Sequence, residues 1–194
     1  RQAMDSLDSF FHRIEDSASS WIITGQAGAG KSTLIRYIAS YSHSTMAVLA
    51  STGVAAQLIN GLTIHSFFGF PPGITTHEIQ KMKISKRKEK ILSAIELFVI
   101  DEVSMLRADW LDCMEAYLSL FGKNPGRGFG GYRFLLSGDL YQLPPVVQQD
   151  EEEIFRTQYR SPFFFHAHSY PLLKLQTLIL NQNYRQTDDK TINW

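Results

Sequence analysis

An α/β fold built on a central, mostly parallel sheet is predicted by three observations. Short apolar runs alternate with helix-periodic stretches, each run is apolar throughout as a strand buried on both faces would be, and a Gly-rich loop joins the first run to a helix. Taken in order, Leu7, Phe10, Phe11 and Ile14 have the i, i+3, i+4, i+7 spacing of a helix with one buried face. After the polar break Asp16–Ser20 comes WIIT (21–24), a strand ending at Gly25. A helix over 31–40, a strand over 46–50 (MAVLA) and a helix over 53–59 follow. LFVI (97–100) is the third strand, and Met105, Leu106, Trp110, Leu111, Met114 and Leu118 mark the helix after it. YRFLLS (132–137) and LQTLIL (175–180) complete five strands.

Three stretches break the rhythm. Residues 70–90 begin with Pro71, Pro72 and Gly73 and carry Lys81, Lys83, Lys86, Arg87, Lys88 and Lys90. Residues 122–131 hold five glycines and Pro125 and form a loop. Residues 148–153 (QQDEEE) form an exposed acidic excursion. None reads as a domain boundary, and 194 residues suit one domain.

Composition narrows the function classes. With 44% hydrophobic and 12% aromatic residues, the chain is no disordered tail. Nineteen basic and nineteen acidic residues cancel, so net charge favours neither nucleic acid nor a membrane surface, leaving only local patches. The lone Cys113 excludes an internal disulfide framework and a Cys-cluster metal site, and points to a reducing, intracellular compartment. Bacterial cytoplasm, nucleus and mitochondrion are not separated by it. No apolar run nears the roughly 18 residues that cross a bilayer, so no membrane is expected as a partner. The opening RQAMDSLDSF carries neither a Met start nor an apolar signal region, and DDKTINW ends without a closing element. A monomeric fragment of a larger protein is expected.

Gly25-Gln26-Ala27-Gly28-Ala29-Gly30-Lys31-Ser32 matches G-x-x-x-x-G-K-[ST] in full, between a strand and a helix. Glycines let the backbone curl until its N–H groups face phosphate oxygens, and the helix that follows adds the positive end of its dipole. Lys31 reaches the β- and γ-phosphates and the Ser32 hydroxyl takes Mg²⁺, so ATP and Mg²⁺ are the expected cofactors. Gly25, Ala27, Gly28, Ala29, Gly30, Lys31, Ser32 and Thr33 make the nucleotide seat. The bland alternative, a Gly-rich turn with an accidental Lys, needs four constrained positions to match by chance, which happens in roughly one chain of this length per hundred.

Asp101 and Glu102 end the third strand. Asp101 is placed at the sheet's carboxyl edge, where it can hold Mg²⁺ through water, and Glu102 is suited to polarise an attacking water as general base. That adjacency favours hydrolysis over transfer to a bound hydroxyl. The third element is Gly138-Asp139-Leu140-Tyr141-Gln142-Leu143-Pro144-Pro145, after the fourth strand. Gln142 can donate to a γ-phosphate and accept from a water at once. A Gly-Asp turn with a proline stop is the plainer reading of the same residues.

Together these motifs resemble the Pif-type DNA helicases of the RecD-like branch of superfamily one. GQAGAGKS is similar to helicase motif I, LFVIDEVSML to motif II, and FGGYRFLLSGDLYQLPPV (129–146) to motif III with its lead-in. LASTGVAAQLINGLTIHSFFGF (49–70) resembles the TG-x-AA and T-x-H-S-F segments that line the family's single-stranded DNA path, and RSPFFF (160–165) with LNQNYRQ (180–186) resembles the approach to motif IV. The resemblance implies a RecA-like ATPase domain over 1–185, with a basic insertion at 70–92 beside the DNA path and, from 186–194, the start of a link to a second RecA-like domain. It implies ATP-driven translocation on single-stranded DNA, 5′ to 3′, on duplex or forked substrates, with roles in repair, recombination and telomere maintenance. By position it makes Gln142 a γ-phosphate sensor, Arg185 an arginine finger and Gln2 the adenine reader. It puts Thr52, Gly53, His65, Ser66 and Phe67 at the DNA. Motifs V and VI are absent, so this chain by itself is not expected to unwind a duplex.

The residues alone leave alternatives open. Taken alone, His65 reads more readily as a core or capping histidine, and Phe67, Phe68 and Phe70 can be read simply as core. The basic run 81–90 reads as a solvated helix face or as a phosphate-attracting strip. A P-loop phosphotransferase or switch without DNA would leave TIHSF and QLPP unexplained. A binding module with a degenerate pocket sits poorly with intact Lys31, Ser32, Asp101 and Glu102.

Overall fold

The computed structural model describes residues 2–140 and 145–181, with side chains from residue 6 onward. Six strands form one sheet in which every pairing is parallel: β1 (Trp21–Thr24), β2 (Met46–Ala50), β3 (Leu62–Thr63), β4 (Leu97–Asp101), β5 (Arg133–Gly138) and β6 (Gln176–Ile179), in the spatial order β3-β2-β4-β5-β1-β6. Eight α-helices are described: α1 (Gln2–Glu15), α2 (Lys31–Tyr41), α3 (Gly53–Leu58), α4 (Ile64–Phe68), α5 (Thr76–Ile79), α6 (Lys86–Ala94), α7 (Ala108–Phe121) and α8 (Glu152–Gln158). The two-residue β3 and the short α4 and α5 lack the length for a periodic signal, which is why apolar patterning does not reveal them.

Side-chain alternation divides the core between the two sheet faces. Leu97, Val99, Leu135, Trp21, Ile23 and Leu178 pack on one face with Leu7, Phe11 and Ile14 of α1 and Leu34, Ile35 and Ile38 of α2. Phe98, Ile100, Phe134, Leu136 and Ile22 pack on the other with Ile64, Phe67 and Phe68 of α4 and Leu111, Met114, Tyr117 and Leu118 of α7. Every residue of β4 is buried, as a central parallel strand requires. α1 is tied to the sheet at its carboxyl end, where Arg133 donates from Nη2 to Ile14 O (2.6 Å) and from Nε to Ser19 O (3.2 Å). A cation on terminal helix carbonyls also answers the helix dipole.

Two expectations are corrected. The helix predicted continuously from Met105 divides into a 3₁₀ turn, Val103–Met105, and α7, with Leu106 and Arg107 extended between them. Arg107 pairs there as an isolated antiparallel bridge with Phe163, and Ala108 N donates to Pro162 O at 2.9 Å. The acidic stretch 148–153 is not wholly an exposed excursion, because Glu151 turns inward to Arg107 and α8 begins at its end.

Candidate nucleotide cleft and nucleic-acid face

Because all strands run the same way, the loops following them converge on one edge, and the order places β5 between β1 and β4. The loop after β1, the carboxylates after β4 and the Gly138–Asp139 turn after β5 therefore meet. A cleft of about 320 Å³ lies between them, lined by Ala27, Gly28, Gly30, Lys31, Ser32, Thr33, Arg36, Asp101, Glu102, Gly138 and Asp139. Ala29 is buried beneath it.

The loop's shape follows from its glycines. A Cβ on Gly25 would lie 2.6 Å from Leu180 O and 3.2 Å from the Ala29 Cβ, so only glycine lets the strand end approach β6 this closely. Gly30 caps α2 in the left-handed region (φ 94°), and neither a capping side chain nor an acidic residue occupies the first turn of α2. That helix end is suited to an anion. Lys31 Nζ donates to Gly25 O (2.6 Å) and Gln26 O (2.9 Å) of its own loop. Burial pulls the Lys31 pKa down, against the opposing pull of Asp139, Glu102 and Asp101.

Asp101 is buried at the end of β4 and accepts from Glu102 N at 2.9 Å. Its carboxyl is pushed above the ordinary range by burial, opposed by that hydrogen bond and by Lys31. Glu102 is also raised, first by burial and then by the Asp101 charge. Its backbone sits in the left-handed region at φ 54°, an unfavourable place for a side-chain-bearing residue and one that recurs at functional sites. The Ser32 hydroxyl, the Asp101 carboxylate and a nucleotide's phosphates would give a hard, all-oxygen donor set, the chemistry Mg²⁺ prefers.

Asp139 and Arg36 join this cleft although the motifs assign neither of them a role in it. Asp139 Oδ2 accepts from Ala27 N (3.2 Å), pinning the phosphate loop to the β5 turn. Its position directly after a strand end is the signal that could have found it. Arg36 stands one helical turn beyond Ser32 on α2, so the helix period points to it. Gln142 and Arg185 lie outside the described residues; Gln2 begins α1, and its side chain lies outside them as well.

The expected nucleic-acid residues sit on the same edge, farther along it. Thr52 Oγ1 accepts from Ala55 N (3.2 Å) and caps α3, with Gly53 exposed beside it. Ser66 is exposed, its N–H bonded to Thr63 Oγ1 (3.1 Å) at the start of α4. His65 is half-buried, its ring edge-on to Trp110 at 4.5 Å and to Phe70 at 6.3 Å. Burial, then the Arg107 charge, hold its imidazole below the usual value.

Phe67, expected among the DNA contacts, has a buried side chain. It is 7% exposed, with its ring packed edge-on to Phe68 (4.9 Å) and Phe98 (5.7 Å) and a further contact supplied by Lys88. Lys88 Nζ lies 3.8 Å from the centre of the Phe67 ring and donates to Phe67 O. The basic run is thus split. Lys88 turns inward and fastens α6 to α4, while Lys81, Lys83, Lys86, Arg87 and Lys90 are exposed.

A phosphate loop, two strand-end carboxylates and an all-parallel sheet define a RecA-like P-loop nucleotide-binding domain. The PIF1-like helicase model matches residues 5–193, and the chain belongs to that family. It is 32% identical over its whole length to the ATP-dependent DNA helicase RRM3 of Saccharomyces cerevisiae, covering 29% of that protein. It is 34% identical over 90% of its length to the ATP-dependent DNA helicase PIF1 of Emericella nidulans, covering 24%. The chain thus spans about a quarter of these curated relatives. Among solved structures, the Pif1 helicase from Bacteroides in complex with ADP-AlF3 and ssDNA matches with a TM-score of 0.83 at 36% identity, over 91% of this chain and 41% of that one. The Pif1 helicase from Candida albicans matches at 0.75 and 32%, over 95% and 41%.

Proposed function

We propose that this domain is the ATP-binding and ATP-hydrolysing half of a DNA helicase motor that moves along single-stranded DNA, 5′ to 3′. The observation that carries the reading is the meeting of the phosphate loop, Asp101–Glu102 and Asp139 in one cleft at one sheet edge, with the α3 and α4 segments on the same edge. The relatives' names and the ssDNA bound in the Bacteroides structure support it.

In this mechanism the phosphate loop N–H groups and the amino end of α2 seat the triphosphate, and the Lys31 ammonium leaves the Gly25 and Gln26 carbonyls for the β- and γ-phosphates. Ser32 and Asp101 would hold Mg²⁺, which would supply positive charge against the phosphate oxygens. Glu102 takes a proton from the attacking water. By motif position Gln142 senses the γ-phosphate, Arg185 stabilises charge on the transferring phosphoryl group and Gln2 reads the adenine. A second RecA-like domain closes over the nucleotide, and the two domains grip DNA alternately through segments that include Thr52, Gly53, His65 and Ser66. Duplex or forked DNA is the substrate that such stepping would open.

The test is binding of a Mg²⁺–ATP analogue to the chain, with and without short oligo-dT, at two salt concentrations. Analogue binding together with salt-sensitive DNA binding supports the reading. Absence of nucleotide binding sinks it. Analogue binding without DNA binding moves the decision to the full-length protein, where turnover indifferent to oligo-dT would favour a P-loop ATPase without DNA coupling.

A further inference from the structure

Arg107 joins four segments that are distant in sequence. It follows Glu102 by way of the 3₁₀ turn and Leu106, a link whose Val103, Ser104 and Leu106 are fully packed. Met105 N donates to Glu102 O and Leu106 N to Val103 O, both at 3.0 Å, so the link has little freedom to bend. The Arg107 side chain is only 10% exposed, yet its guanidinium makes four hydrogen bonds. Nε and Nη2 each reach a carboxylate oxygen of Asp109 at 3.0 Å, and Nη1 and Nη2 reach Glu151 at 2.9 and 3.3 Å. The guanidinium carbon lies 5.1 Å from the Trp110 ring centre and 5.0 Å from that of Phe155. Trp110 in turn meets His65 of α4 edge-on, and the Arg107 backbone bridges to Phe163.

Such a node carries displacement well. A guanidinium is a planar fork, and two bidentate carboxylates on different elements fix its orientation rather than merely its charge. Packed interiors do not absorb small shifts by compressing. The contacts run without a break from His65 of α4 through Trp110 to the Arg107 fork, and from Arg107 along the packed 3₁₀ turn to Glu102. Glu151 brings in the segment that follows the GDLYQLPP stretch.

Resting on the DNA-motor reading above, we propose that Arg107 is a positioning residue that couples nucleic-acid contact at α4 to the hydrolytic carboxylate Glu102. It lies outside the lining of the nucleotide cleft. Its role is to make the two ends of this network move together.

The experiment measures ATP turnover by the full-length protein against oligo-dT concentration, for wild type, Arg107→Met, Arg107→Lys and Glu151→Gln. Arg107→Met is expected to lower DNA stimulation about tenfold, within the range of ordinary coupling between sites, while turnover without DNA stays within about twofold and the KM for ATP is unchanged. Arg107→Lys keeps the charge and loses the fork, so it restores stimulation only in part. Glu151→Gln removes one partly exposed acceptor charge and gives the same selective loss at smaller size, which keeps the test decisive if Arg107→Met does not fold. Equal loss of basal and stimulated turnover, or full stimulation in both Arg107→Met and Glu151→Gln, overturns the proposal alone. Wild-type turnover that ignores oligo-dT overturns the motor reading and this proposal with it.

Discussion

Replacing Glu102 by Gln separates chemistry from folding within one side chain. The substitution keeps size and shape, and the backbone bonds at this residue, Glu102 N to Asp101 Oδ1 and Met105 N to Glu102 O, do not involve the side chain. Nucleotide binding is therefore expected to survive in the full-length protein. Turnover should fall about 10²–10⁴-fold, the usual contribution of a general base, or about 3–5 kcal/mol in barrier. Stability should move the other way. Burial and the neighbouring Asp101 raise the Glu102 pKa above its ordinary 4.5, so the folded state holds that proton more tightly than the unfolded chain. Stability from this group is then complete below pH 4.5 and is lost as pH climbs through the raised folded value. A neutral Gln escapes that loss. Because the side chain is only partly buried, solvent screening keeps that gain small, and it is read as a slightly higher melting temperature for the Gln variant at pH 7. The assay is ATP turnover beside thermal melts of both variants at pH 4 and pH 7. Normal turnover would remove Glu102 from the base role, and a variant less stable than wild type at pH 7 would refute the electrostatic account.

Other outcomes follow from the same structure. Gly25→Ala drives a methyl into Leu180 O and should cost about 1–3 kcal/mol in melting free energy while weakening ATP-analogue binding, measured by melts and titration. Asp112→Ala strips acceptors from Tyr159 OH, His168 N, Ser169 N and Ser169 Oγ, and a loss of about 3–5 kcal/mol is expected in denaturant unfolding; a loss under about 1 would show that water replaces the carboxylate. Replacing Lys86, Arg87 and Lys90 one at a time should each flatten the log–log salt dependence of oligo-dT binding by about 0.7. Lys88→Met should leave that slope unchanged and instead lower the melting temperature, since its charge is spent on Phe67.

How much a sequence discloses depends on the range over which each signal acts. Strands such as LFVI are apolar because both of their faces are covered, and that property is local enough to read directly. The phosphate loop is legible for the same reason, since its glycines answer a demand made within eight residues. Asp139 reads as part of a plain turn because its partner, Ala27 N, lies on the neighbouring strand's loop, and only the order of strands brings the two together. Phe67 looks available because an aromatic beside TIHS has the composition of a stacking platform. Its burial is decided by Phe98 and Lys88, which no periodicity in the segment reveals. The inward turn of Glu151 is hidden by its acidic neighbours, which are exposed.

The pairing of β6 with β1 has a mechanical consequence. Four register pairs, Trp21–Gln176 through Thr24–Ile179, and a bond from Leu180 N to Thr24 O (2.8 Å) fasten the two strands side by side up to the point where Gly25 touches Leu180. Tension applied at Asn181 along the strand loads these bonds in shear, all at once, and reaches the loop that cradles phosphate across a single glycine-wide contact. Tension applied across the strand would peel them one after another, starting from the end nearest that loop. The seam is thus stiff in one direction and compliant in another, and the direction of pull decides whether the phosphate loop feels it.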